Sequence, residues 1–387
     1  MVKRRASHEV DTPPHAVTLR AKIVRLRGVA GRPLITARRA AKLLACGVAL
    51  SVTGAALAGV ADTTVCVPGG ELPTVNPAIF DTASPPAREI EGMAWLVMGI
   101  CAGIFVVVEG LLVYSIVKFR RKSGEQGEPV QLYGSNPIEL AWTIVPLLIV
   151  FTLGLVTIRV IRDIERTEPP AGALQVTAIG HQWWWEYRYP DPAAPGAEIV
   201  VANELCVPVG RPVWLRLESA DVIHSWWVPA LSGKTDLVPN QTNHLWFSAD
   251  RAGLYLGQCA EYCGNQHAGM LLRVNAVETA NFDAWLAAQA KPPVMDDGVA
   301  HGRNLFLQLA CSTCHAVQGL SDGAFAPDLT HLASRQTIAS GMVPLTRDNL
   351  RAWLDDPQAM KPQCNMPSLK LDDDELDALT DYLLTLK

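Results

Sequence analysis

Cys259-Ala-Glu-Tyr-Cys263-Gly-Asn-Gln-His267-Ala-Gly-Met270 brings two thiols, an imidazole and a thioether into one short loop. Soft sulfur with imidazole selects copper over hard cations, and a weak thioether is typical of copper electron-transfer sites. One Cys with His and Met suits a mononuclear site, whereas two Cys in one loop can bridge two metals. The second imidazole has to come from elsewhere. His224, in Asp221-Val-Ile-His224-Ser-Trp, is the candidate, expected where a strand ends and a ligand can reach toward the loop. Taken alone, the loop leaves three other possibilities open. Cys259 and Cys263 could form a disulfide in an exported protein. Two Cys and two His could hold zinc. Either histidine could be a satisfied core residue.

Working outward, the runs LQVTAIG, WWWEYRY, EIVVANEL, PVWLRLES, HLWFSA and MLLRVNAV fall between residues 174 and 277, separated by Pro, Gly, Asn and Asp. Short strands at regular spacing predict an antiparallel sandwich or barrel. Residues 281–290 read as a short helical tail, and Lys291-Pro292-Pro293 as a linker. From residue 299 the periodicity turns helical in GRNLFLQL, DNLRAWLDD and DDELDALTDYLLTL. Cys311-Ser-Thr-Cys314-His315, at the start of this domain, is the attachment signature of a c-type haem, with His315 poised as axial ligand.

Upstream, residues 92–118 and 140–158 are apolar and long enough to span a bilayer. Glu109 interrupts the first, and Pro146 lies inside the second. Lys118, Arg120, Arg121 and Lys122 in the connecting loop mark the cytoplasmic side, so both ends of this hairpin lie outside. Arg159, Arg162 and Arg166 after the second segment argue weakly the other way. Residues 43–60, behind a basic leader, have the build of a secretory signal cleaved near Ala58 or Ala61, with a third membrane helix as the alternative.

Mean hydropathy is +0.15, high for a soluble protein. Residues 1–42 carry net +9 within a whole-chain −5, so the remainder carries −14. A basic head without interleaved aromatics on an acidic body indicates targeting and topology, not nucleic-acid binding. Nine cysteines are present. Their metal and haem spacings do not describe a disulfide framework. Cys66, Cys206 and Cys364 are left without a role, and Cys46 and Cys101 read as small core hydrophobes.

The blocks GHQWWWEYRYP, DVIHSWWVPALSGKTDLVPNQ and GLYLGQCAEYCGNQHAGM resemble subunit II of haem–copper cytochrome c oxidases, and the similarity extends through the hairpin to about residue 277. With its cytochrome fusion the chain resembles the caa-type members. The resemblance implies a multidomain membrane protein: a two-helix transmembrane hairpin, an all-β cupredoxin-like Greek-key barrel and an all-α class I cytochrome c domain. The expected division is a leader at 1–61, an exoplasmic linker at 62–91, the hairpin at 92–168, the cupredoxin domain at 169–290, a linker at 291–298 and the cytochrome domain at 299–387. The resemblance further implies a dinuclear CuA centre. Cys259 and Cys263 would bridge both coppers, and His224 and His267 would each cap one. Met270 and the carbonyl of Glu261 would be weak outer ligands. The Glu261 carboxylate would reach a magnesium ion shared with subunit I. Trp183 resembles the surface tryptophan through which electrons enter, and Glu139 resembles a carboxylate at the cytoplasmic mouth of a proton path into subunit I. Core packing and a helix-dipole role are the plain alternatives for Trp183 and Glu139. Met366-Pro367 resembles the Met-Pro step of class I cytochromes c, so Met366 is the expected sixth ligand, with Met360 behind it and Met342 also available. Pro327 resembles the loop proline whose carbonyl orients the haem histidine.

The expected activity is therefore that of one subunit of a proton-pumping cytochrome c oxidase in a bacterial inner membrane, its copper and haem domains on the periplasmic or outer side. Expected partners are subunit I, subunit III, membrane lipid and an external donor, either cytochrome c or quinol–cytochrome c reductase, with no nucleic acid. Oxygen reduction belongs to subunit I, since this chain has no six-His membrane core. Two other readings remain: the CuA module of a nitrous oxide or nitric oxide reductase, which the hairpin and the GHQWWW block disfavour, and a membrane-tethered copper carrier or shuttle.

Overall fold

The computed structural model describes residues 66, 72, 74–75 and 77–387, apart from 125, 129 and 295. The signal-like segment at 43–60 and Cys46 lie outside the described residues. Helix α1 spans Pro85–Lys118 and α2 spans Asn136–Ile164; both have an apolar window of mean hydropathy 2.5, none of it buried. The stretch expected to be irregular up to residue 91 instead turns helical at Pro85. Ser84 is extended, and proline in a first turn forfeits no hydrogen bond because those N–H groups have no intrahelical partner. Cys101 is exposed on α1, not in a core. Both outer ends of the hairpin are fastened to the β domain. At one end Ala83 N donates to Ala230 O at 2.8 Å, Ser84 Oγ accepts from Ser248 N at 3.1 Å, and Arg88 pairs with Asp250. At the other, Trp246 Nε1 donates to Ile164 O at 2.9 Å and Arg166 lies over the same ring.

The β domain packs two sheets face to face. One contains β2 (Leu174–His181), β3 (Trp184–Pro190), β4 (Glu198–Ala202), β6 (Val213–Ser219) and β9 (Asn243–Phe247), in the order β4-β3-β2-β6-β9. The other contains β5 (Glu204–Pro208), β7 (His224–Trp227), β8 (Thr235–Leu237), β10 (Gly253–Cys259) and β11 (Leu271–Val277), in the order β5-β11-β10-β7-β8, with β1 (Thr74–Val75) on β10. The sheets are mixed, not purely antiparallel: β2 runs parallel to β6, β5 to β11 and β1 to β10. The run EIVVANEL, a single strand by its pattern, is broken at Asn203, whose φ of 67° turns the chain from one sheet into the other. Asparagine tolerates this left-handed conformation better than most residues. The core is aromatic. Trp185, Tyr187 and Tyr189 alternate along one fully buried face of β3, and Trp226 stacks on Phe247 with ring centroids 5.6 Å apart. Burying each large side chain contributes about 1.5–3 kcal/mol. A disulfide joins Cys66 to Cys206 on β5, a pairing that the reading of the sequence did not contain.

Helix α3 (Thr279–Gln289) closes the β domain. The C-terminal domain then follows with α4 (Ala300–Gln308), α5 (Cys311–Cys314), α6 (Arg347–Asp355), α7 (Pro357–Met360) and α8 (Asp373–Leu383). Asp372 and Glu375 form a capping box that starts α8. Phe306 on α4 and Tyr382 on α8 pack at 5.8 Å within a separate hydrophobic core.

Candidate metal centre and haem pocket

β10 ends at Cys259, and the loop to β11 folds back over the sheet edge, bringing its soft atoms together. Cys259 Sγ lies 3.9 Å from Cys263 Sγ, Cys263 Sγ lies 3.7 Å from His267 Nδ1, and Met270 Sδ is 3.9 Å from Cys263 Sγ. The Glu261 carbonyl is 3.3 Å from Cys259 Sγ. His224 opens β7 instead of ending a strand, and β7 pairs with β10 beside the loop. The donor atoms of His224, Cys259 and Cys263 lie within 4.8 Å of one another, and all three residues are buried. All six expected ligand residues thus converge.

The orientation of His224 is fixed from behind. Its Nε2 donates to Asp221 Oδ1 at 2.8 Å, which leaves Nδ1 facing the thiols. That Nδ1 is buried and has no hydrogen-bond partner in the protein. An orphaned buried nitrogen costs about 1–3 kcal/mol unless something binds it. Together with two thiols and a thioether it fits a copper site, whose ligand histidines would be His224 and His267. Gly180 makes room for the ring: a Cβ there would come within 2.8 Å of His224 Cδ2. The electrostatics agree. Cys263 beside it, with His224 and the backbone around Ser225 and Glu261, pulls the Cys259 thiol down to about 3 against the effect of burial. The Cys263 thiol is pushed up, because Cys259 next to it already carries the negative charge. Burial pushes Asp221 up, but the bonds from His224, Val222 and Gln182 hold it below the usual carboxylate range. Asp221 was quoted with His224 in the sequence, but its orienting role was not recognised there.

The C-terminal domain builds a cavity of about 360 Å³ lined by Cys311, Cys314, His315 and Met366. His315 Nδ1 donates to the Pro327 carbonyl at 2.7 Å, which leaves Nε2 as the ligand atom. Burial lowers the His315 pKa, which favours the neutral ring that iron ligation requires. Gly323 lies against this turn, where a Cβ would meet the backbone of Cys314 and His315 at 2.6 Å. Met366 lines the cavity, whereas Met360 ends α7 and Met342 sits against Gly269 of the copper loop; neither lines it among the described residues. The chain's residues fit a covalent haem held by Cys311, Cys314, His315 and Met366.

The cavity is also lined by Gln182, Trp183, Trp184 and Asn203 of the β domain. Trp183 is therefore not a surface residue. It is 8 % exposed because the C-terminal domain covers it. Its Nε1 donates to the Cys263 carbonyl at 3.0 Å, and Gln182 Nε2 donates to the same oxygen at 2.7 Å. One side chain thus touches both sites. Trp184 stacks on His181 at 4.1 Å, and Trp185 meets His224 edge-on at 6.1 Å. The covering contact is polar and specific. Glu204, buried on β5, accepts from Thr337 N at 2.8 Å, Thr337 Oγ1 at 2.6 Å and Gln336 N at 3.1 Å. Leu271 N donates to Ser340 O at 3.2 Å, and Ser340 Oγ donates to Trp183 O at 2.9 Å. Ala339 and Ser340 both hold positive φ, 54° and 65°. Such backbone costs of order 1 kcal/mol or more per residue and persists where surrounding contacts over-determine it. Cys364 is half-buried on the cavity wall, with Gln358 Nε2 at 3.3 Å. Glu139 lies in the first turn of α2, where its Oε1 accepts from Ser135 N at 3.2 Å and so caps the helix.

A membrane hairpin, a copper-type β domain and a haem-attachment domain on one chain define a membrane-anchored redox protein with its soluble domains on one side. Family models match all three parts: the transmembrane domain of cytochrome c oxidase subunit II at residues 74–160, its periplasmic domain at 193–277, and cytochrome c at 299–387. Cytochrome c oxidase subunit 2 of Alkalihalophilus pseudofirmus is 33% identical over 327 residues, covering 82% of this chain and 93% of that one. The same subunit of Bacillus subtilis is 32% identical over 296 residues, covering 71% and 82%. A solved periplasmic domain of subunit II from Bradyrhizobium japonicum is 32% identical and covers 32% of this chain and 97% of that one, with a TM-score of 0.30. The chain belongs to the cytochrome c oxidase subunit II family, with a C-terminal cytochrome c domain. It is thus one subunit of a haem–copper oxidase complex whose partner is subunit I, and its β domain lies on the outer side of the membrane.

Proposed function

We propose that this chain relays electrons from an external donor through its haem domain to a dinuclear copper site, and on to haem a of subunit I. There O2 is reduced to water with proton translocation. The observation that carries the path is Trp183, which lines the haem cavity and donates to the carbonyl of Cys263. When bound, the haem and the copper pair supply the one-electron carriers. The protein's own contribution is position. Cys311, Cys314, His315 and Met366 hold the haem, while His224, Cys259, Cys263, His267, Met270 and the Glu261 carbonyl hold the copper pair. Asp221 and Pro327 orient His224 and His315, and Trp183 lies between the sites, on the haem cavity wall and bonded to the Cys263 carbonyl.

The remaining roles follow the family pattern. The Glu261 carboxylate is free of the thiols and stands as this chain's share of a magnesium site whose other ligands come from subunit I. Glu139 caps α2 at the cytoplasmic end, where a proton path into subunit I would open. The donor is cytochrome c or quinol–cytochrome c reductase, and subunit III completes the complex in a bacterial inner membrane. The test is an optical spectrum of the purified complex. A c-type haem band together with a near-infrared mixed-valence copper band is expected. A haem band without the near-infrared band would refute the dinuclear site.

A further inference from the structure

Lys361 follows α7 at the start of a loop, Lys361-Pro362-Gln363. Its side chain crosses the contact between the two outer domains and is 3 % exposed. Nζ donates to Trp183 O at 2.8 Å, to Gly269 O at 3.0 Å and to Ala339 O at 3.4 Å. All three ammonium hydrogens are therefore spent on carbonyls, two from the β domain and one from the haem domain. Among the described residues no carboxylate forms an ion pair with it. A buried ammonium without a carboxylate partner is costly, and chains seldom keep one without a use for it.

The three carbonyls are not scattered. Trp183 is the residue bonded to Cys263, and Gly269 immediately precedes Met270. Ala339 belongs to the left-handed turn that docks on β11. Lys361 itself lines the haem cavity. Burial lowers its pKa to about 8, so at neutral pH the ammonium is still charged.

We propose that Lys361 is the positioning residue for haem-to-copper transfer: its ammonium clamps the Trp183 and Gly269 carbonyls to the haem domain and sets one buried positive charge between the two redox sites. The proposal rests on the electron path of the preceding section. The clamp fixes Trp183, the side chain that touches both sites. The charge stabilises the reduced form of each centre, because an added electron feels it across a low-dielectric contact. A lysine there serves better than an arginine, because three carbonyls converge on a point instead of facing a planar fork.

Two variants of the intact complex separate the clamp from the charge. Lys361→Met keeps the length and removes both the donors and the charge. Lys361→Gln removes the charge and keeps part of the donor set. Haem-to-copper transfer after flash reduction of the haem, midpoint potentials of both centres, and hydrogen exchange at residues 269–271 and 337–341 are measured alongside optical spectra. Each charge-assisted bond lost corresponds to roughly tenfold or more in the docking equilibrium. Lys361→Met is therefore expected to exchange at least tenfold faster and transfer at least tenfold more slowly, with both potentials lowered. Lys361→Gln is expected to lower the potentials while retaining part of the protection. Wild-type potentials in both variants would overturn the charge role, and wild-type exchange in Lys361→Met would overturn the clamp. Missing copper or haem bands in the parent complex would instead refute the electron path itself.

Discussion

Removing the Glu204 carboxylate should release the haem domain from the copper domain without emptying either site. Glu204 accepts three hydrogen bonds from the docking segment: from Thr337 N at 2.8 Å, Thr337 Oγ1 at 2.6 Å and Gln336 N at 3.1 Å. The carboxylate is 8 % exposed, so little water competes for it. A hydrogen bond to a charged group contributes about 1.5–3 kcal/mol, but three on one carboxylate are not additive. Deleting the carboxylate also recovers its desolvation cost, yet leaves two backbone amides and the Thr337 hydroxyl without their acceptor and Arg273 without its ion-pair partner at 3.9 Å. Breaking one side of such a buried set costs about 3–5 kcal/mol. Glu204→Ala should therefore shift the docking equilibrium roughly 100- to 4,000-fold, at about 1.4 kcal/mol per factor of ten. Because the domain remains tethered, it stays near the surface at an effective concentration in the millimolar range. The assay is hydrogen exchange at the amides of Gln336, Thr337 and residues 339–341 in the purified complex, with haem and copper content measured in the same sample. Expected are exchange rates at least 100-fold faster in that segment, unchanged exchange in α8, and unchanged metal content. Native protection at Gln336 and Thr337 in Glu204→Ala would refute the reasoning. Glu204→Gln keeps one acceptor oxygen and should lie between the two.

Met366→Ala should remove the sixth haem ligand and change the haem spectrum, while Met360→Ala and Met342→Ala leave it as in the parent; an unaltered Met366→Ala spectrum would exclude Met366. Cys206→Ser opens a loop of 140 residues in sequence separation and should cost about 2–4 kcal/mol of cupredoxin-domain stability in urea. The value lies at the modest end for so long a loop because membrane insertion already restrains the intervening chain; equal urea midpoints for parent and variant would refute it. Acid should also weaken this domain through Glu186. Burial raises that carboxyl, but His181 and Arg188 outweigh burial and hold it below 4.5. Since the folded pKa is the lower one, the contribution is present above the unfolded value and is lost as pH falls through the folded one. Glu186→Gln should flatten that part of the acid-unfolding curve, and superimposable curves would count against the assignment.

The copper site was legible in the sequence because most of it is local. Four side chains and one carbonyl come from a single loop, and only His224 had to be recruited from a distance. The haem attachment was legible for the same reason, and the loop carbonyl of Pro327 followed from the resemblance. What escaped depends on contacts between distant segments. Trp183 reads as a surface residue in the family pattern because nothing in a linear reading shows a second domain settling on it. Lys361 and Glu204 were not singled out in the sequence, since their burial arises only at that contact. The parallel pairs β2–β6 and β5–β11 join strands far apart in the chain, and alternation of apolar residues does not tell parallel from antiparallel neighbours. Cys66 and Cys206 were visible as unassigned cysteines, but several such residues allow several pairings.

The Cys66–Cys206 bond also acts as a parity rule on how the chain crosses the bilayer. A covalent bond joins two residues only if they meet in one compartment, so the polypeptide between them must cross the membrane an even number of times. Helices α1 and α2 both lie inside that interval. The two helices must therefore cross as a pair, whatever the arginines at 159, 162 and 166 do to the charge balance of the outer end. The bond sets an order of events as well. It can close only after both cysteines have reached the oxidising side, that is, after the chain between them has passed through the membrane and returned. Closure of this disulfide thus records that both helices have been inserted.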